Sequence, residues 1–115
     1  MDQAAIEGLA QQLADAVRES FASLLYVETK NKIAGNPGLE TQIKEFKRAQ
    51  MDYRFKHMEG TPITFEEEQN LSKIYSDLLL HDDARVFLDS ERKLLDMITK
   101  IQNMISGSCP VELDF

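Results

Sequence analysis

Apolar residues recur in this chain at steps of three and four, in long runs separated by short polar corners. From residue 3 to about 34, Ile6, Leu9, Leu13, Ala16, Val17, Phe21, Leu24 and Val27 make one stripe, while Asp15, Arg18, Glu19 and Lys30 lie off it. The pattern predicts a first long helix, weakened near its start by Gly8, which costs about 1 kcal/mol relative to alanine. Gly35 is expected to close that helix in a left-handed conformation. Asn36 and Pro37 restart the chain as N-cap and first helical residue. A second helix over 37–58 then breaks at Gly60. Thr64-Phe65-Glu66-Glu67 fits a capping box opening a third helix over 65–80, which carries Leu71, Ile74, Tyr75, Leu78 and Leu79 toward a core. After His81-Asp82-Asp83, a fourth helix over 84–106 presents Phe87, Leu94, Ile98, Ile101 and Ile105, with Leu88 and Leu95 on one shoulder and Met97 and Met104 on the other. Gly107 stops it, and 108–115 form a short tail after a single domain of residues 1–107.

The second helix has more apolar surface than one neighbour can use. Leu39, Ile43, Phe46, Gln50, Tyr53 and His57 alternate steps of four and three, the seam of a helix packed lengthwise on another. At 100° per residue, Met51, Phe55 and Met58 fall on a second line away from that seam. Gln50 and His57 are expected as buried polar residues that fix the register of the first seam. The fourth helix is also wide, its apolar arc exceeding the roughly 100° that faces a single core. These widths imply an all-α fold, a four-helix antiparallel bundle of long helices completed by oligomerisation.

Composition narrows the class without changing the fold. With 115 residues, 43% of them hydrophobic and 29% charged, the chain has the means for one folded domain of modest core. A net charge of −7 argues against direct DNA binding by the whole surface. Charge is nevertheless uneven: Lys44 to Lys56 hold five cations and two anions, whereas the first 29 residues hold five anions and one cation. The plain reading of Lys44, Lys47, Arg48, Arg54 and Lys56 is a solvated face that pairs with the acidic first helix. The sharper one makes this basic face, Lys47, Arg48 and Arg54 among it and helped by Phe55, a docking surface for an acidic partner or an RNA backbone. Met51, Phe55 and Met58 are read as a homo- or hetero-oligomer contact of the same interaction surface. No apolar run approaches the roughly 18 residues of a membrane span, and the amino terminus is unlike a secretory signal, so a cytoplasmic location is expected.

Candidate chemistry is sparse. His57 could accept a phosphoryl group on a four-helix scaffold, but it is followed by Met58-Glu59-Gly60, acidic where a cation should steady the phosphate. Asp77 and His81 share a helical face, yet two ligands are too few for a metal site. There is no nucleophile motif and no glycine-rich phosphate loop, so no enzyme is read and no catalytic, cofactor or metal residues are assigned.

The order of features resembles the YlbF/YmcA family, with its YheA-like members: small, all-helical bacterial proteins. The residues that carry the resemblance are Asn36-Pro37 opening the second helix, Phe46-Lys47 and Gln50 within it, and Gly60 at its end. The Asp82-Asp83 corner and Leu94, Ile98, Ile101 and Ile105 leading to Ser106 complete it, over nearly the whole chain. The resemblance implies a non-enzymatic adaptor or regulator in the bacterial cytoplasm, similar to subunits of a complex linked to competence, sporulation, biofilm control and mRNA maturation by a membrane-anchored endoribonuclease. It implies partners of three kinds: further copies of this chain, related family members, and a ribonuclease complex. Some relatives share iron–sulfur clusters through cysteines; here Cys109 alone could contribute, short of the four ligands a cluster takes, so no cofactor is expected. The alternative reading is a helical scaffold or chaperone-like protein, with a histidine phosphotransfer domain a more distant one.

Overall fold

The computed structural model describes residues 1–109, and every regular element in them is a helix. In chain order these are α1 (Gln3–Arg18), α2 (Phe21–Ala34), α3 (Pro37–Glu59), α4 (Phe65–Leu78) and α5 (Asp82–Ser108). Of the expected tail, residues 110–115 lie outside the described residues.

The expected first helix is two helices. Its apolar periodicity runs on through Phe21, but Ser20 interrupts the ladder: its hydroxyl donates to the Val17 carbonyl at 2.6 Å and accepts from the Ser23 amide at 3.3 Å. One small side chain thus closes α1 and caps α2, the local competition that serine offers a helix. Periodicity is blind to it, because the stripe continues on both sides.

The corner at Gly35 also differs from expectation. Gly60 is the only described residue with positive φ, at 72°. Gly35 instead stays in ordinary backbone space, its amide bonded to the Lys32 carbonyl at 3.2 Å and that of Asn36 to the Ile33 carbonyl at 2.9 Å. Asn36 then caps α3, its side chain accepting from the Leu39 amide, with Pro37 in the first turn. The turn closes by tight backbone bonds followed by a cap, so no left-handed residue is required.

The chain divides into two units, and the division falls inside α2 and α5. One unit, Thr29–Phe87, holds the better core: Ile33, Leu39, Ile43, Phe46, Leu78, Ala84 and Phe87 are buried, together with Thr29. Its centre is the α3–α4 hairpin, the most extensive helix-to-helix contact among the described residues. Phe46 meets Tyr75 with ring centroids 5.3 Å apart, and further along α3 Lys56 pairs with Glu67, nearer the start of α4. The two pairings run in opposite directions along the helices, which fixes the hairpin as antiparallel.

The other unit comprises Met1–Glu28 and the chain from Leu88 onward. Its one fully buried residue among those described is Ser90, and α1 buries none. The stripe that periodicity assigned to a core therefore lies open in a single copy: Ile6, Leu9 and Leu13 on α1, Leu24 and Val27 on α2, and Leu95, Met104 and Ile105 on α5 are all exposed.

Candidate interaction surface

Along α3, one line faces α4 and a second line faces away. Leu39, Ile43 and Phe46 on the inner line are buried, and Gln50 and Tyr53 are half-buried. Burial continues to fade toward the Gly60 turn, and His57 is exposed. This corrects the expectation that Gln50 and His57 are buried polar residues of the seam: Gln50 is half-buried, and His57 lies in the last turn of α3, where the hairpin ends. Gln50 sits with Phe46, Tyr53, Glu68, Leu71 and Tyr75 in the wall of a groove of about 470 Å³ on one flank of the hairpin. A second groove of about 470 Å³, on the other flank, is lined by Asp52, Tyr53, Phe55, Lys56, Glu67 and Asn70.

The outer line is where apolar side chains meet solvent. Met51 is 63% exposed, Phe55 61% and Met58 84%. They lie four and three residues apart, so they share a face, about a third of a turn from the buried seam, with Phe55 also at the edge of the second groove. Among the cations of this helix, Lys44 pairs with Glu40 one turn earlier at 2.8 Å, and Lys56 pairs with Glu67 of α4. Lys47 is half-buried, its ammonium 5.4 Å from the centre of the Phe87 ring, which places it inside the unit rather than on the open surface. Arg48 and Arg54 are exposed beside the Met51–Phe55–Met58 line.

Glu67 has three tasks at the open end of the hairpin. Its backbone amide donates to the Thr64 hydroxyl at 3.1 Å, and its carboxylate accepts from that hydroxyl at 3.2 Å. The same carboxylate accepts from Lys56 across the hairpin. The Lys56 hydrogen bond above all, then the lysine's charge and the Thr64 contacts, hold the Glu67 carboxyl below its usual value of 4.5. On α5, hydrogen bonds from Arg92 and Lys93 lower Asp89 in the same way.

Three features escaped the sequence reading. Phe65, the first residue of α4, is 75% exposed and adds an aromatic ring to the open surface of the hairpin unit. The capping motif around it drew attention to Thr64 and Glu67, but its angle from Leu71 and Leu78 already placed it off the seam. Thr29 and Ser90 are buried polar residues, and no buried side-chain nitrogen or oxygen among the described residues lacks a hydrogen-bond partner. Both fit apolar lines at three-and-four spacing, Thr29 before Ile33 and Ser90 between Phe87 and Leu94, which is the signal that could have found them.

Cys109 is exposed, and among the described residues no three His, Cys, Asp or Glu side chains gather as metal ligands would. No helix of the described residues is long and apolar enough to cross a membrane.

Residues 6–108 match the family described as "Control of competence regulator ComK, YlbF/YmcA". The chain belongs to the YlbF/YmcA family. Its similarity to curated proteins runs nearly end to end. A UPF0342 protein of Symbiobacterium thermophilum is 28% identical over 106 residues, 92% of this chain and 95% of that one. A UPF0342 protein of Halothermothrix orenii is 28% identical over 107 residues, 93% of this chain and 91% of that one. Another, from Oceanobacillus iheyensis, is 24% identical over 98 residues, covering 85% and 84%. No solved structure matches significantly. In this YlbF/YmcA protein the match reaches into all five helices, from residue 6 within α1 to residue 108, so the open α3 face and the exposed α1 stripe both lie within the matched region.

Proposed function

We propose that this YlbF/YmcA protein is a non-enzymatic adaptor, which regulates a partner by binding it through helix faces left open in a single copy. The observation that carries the reading is the exposure of Met51, Phe55 and Met58 on a helix that buries a separate line, Leu39, Ile43 and Phe46. A thioether and aromatic face of this kind adapts to different partners, which suits a protein that assembles rather than catalyses. The family description, control of a competence regulator, is consistent with such a role. Related chains of the same family, and a ribonuclease complex, are the partners most in keeping with it.

Phe55→Lys is the informative variant, because it charges an open face and leaves the core alone. Affinity capture from the native bacterium should yield one stoichiometric assembly with the wild-type chain. Recovery with Phe55→Lys should fall at least tenfold, with helix content by circular dichroism unchanged. Many weak, substoichiometric clients that ignore the substitution would favour a scaffold or chaperone-like protein instead.

A further inference from the structure

The groove on the Gln50 flank of the α3–α4 hairpin combines three aromatic rings with polar side chains that hold nothing of the protein. Phe46 and Tyr75 meet at one end, with 5.3 Å between ring centroids. Tyr53 lies seven residues after Phe46, two turns and about 10 Å along α3, with Gln50 between them. Glu68 lies seven residues before Tyr75, so the antiparallel run of α4 brings it to the Tyr53 end, and Ser72 follows it by one turn. Among the described residues, the side chains of Gln50, Tyr53, Glu68 and Ser72 make no hydrogen bond or ion pair, and neither does the Tyr75 hydroxyl. Of the described residues that line the groove, Glu68 alone is charged.

We infer that this groove takes an arginine side chain of a partner protein, its guanidinium between Tyr53 and Glu68 and its stem along Leu71 toward Phe46. A guanidinium brings five N–H donors in one plane and no acceptor. The groove answers with a carboxylate, a carboxamide oxygen and hydroxyl oxygens as acceptors, and with ring faces that attract a cation. A lysine ammonium would meet Glu68 as a point charge but could not stack on the rings, and an acidic group would face a like charge. The neighbouring charges set a limit on what enters. Glu67 is taken by Lys56, and Glu66 and Lys73 fall on the far side of α4 from Glu68. On the Gln50 side of α3, Lys47 is set against the Phe87 ring, while Arg54 is exposed and has no ion pair among the described residues. Arg54 stands outside the lining, and its like charge at the rim favours one arginine between neutral or acidic neighbours over a basic run. This inference rests on the adaptor reading and deepens it, since it gives the partner's anchor a chemistry.

The test is a titration of the full chain with a blocked alanine–arginine–alanine peptide, followed by amide NMR shifts. Saturable shifts are expected at Gln50, Tyr53 and Ser72. The same peptide with citrulline, the uncharged isostere of arginine, should bind about fivefold more weakly, and so should the arginine peptide to E68Q. E66Q removes the same charge from the same turn and should bind as the native chain does, with circular dichroism as the check on folding of both variants. Equal binding of citrulline and arginine, or an equal loss in E66Q and E68Q, would overturn the site and leave only the attraction of an acidic chain at large. The absence of saturable shifts would overturn it as well. Affinity capture separates the groove from the reading beneath it. A stoichiometric partner lost to E68Q and kept by E66Q supports the site; one that E68Q recovers in full overturns the groove and leaves the adaptor reading standing.

Discussion

Glu67 and Gly60 show how single residues hold the open end of the hairpin. Glu67 caps α4 and clips α4 to Lys56, and its carboxyl is depressed in the folded chain. A depressed carboxyl stabilises the fold above its unfolded value and loses that contribution as pH falls through the folded one. Thermal melts of wild type and Glu67→Gln should therefore differ near pH 7, and the gap should close as the pH is lowered past 4.5 toward 3. A gap that stays constant would mean the charge has no part in it. Gly60 has φ of 72°, where an L side chain is strained although space is open, so Gly60→Ala should cost about 1 kcal/mol. Gly35→Ala should cost far less, since Gly35 keeps an ordinary φ and its added methyl would meet only the Lys32 carbonyl at 3.4 Å. Comparing the two melting temperatures checks the assignment; equal losses would contradict it.

Most of the helices were legible in the sequence because caps and periodicity agreed. Asn36-Pro37 opens α3, Thr64 with Glu67 opens α4, and the apolar line Ile43–Phe46 is buried where the four-three spacing put it. What could not be read was decided by local hydrogen bonding or by where an element ends. Ser20 splits the first stripe through two hydrogen bonds of its own, and a stripe does not register them. His57 obeys the seam's spacing but lies in the last turn, where the hairpin stops. The basic run read as a surface in one dimension, whereas in three dimensions Lys47 turns onto Phe87 and Lys56 is used by Glu67. Met51, Phe55 and Met58 were legible as a second line; the structure adds that their line is open in a single copy.

At the scale of the molecule, the two units differ in what they hide. The hairpin unit buries seven apolar residues and one threonine; the unit built from both ends of the chain fully buries only a serine among the described residues. Apolar side chains stand open on α1, α2, α3 and α5, and large exposed apolar surface is what contact sites are made of. On the proposed adaptor reading, the remaining partners of these helices come from other chains. The most direct test is the mass of the purified wild-type protein in dilute buffer, by light scattering. The account predicts a multiple of 13.1 kDa, twice that value or more; a stable species at 13.1 kDa would contradict it.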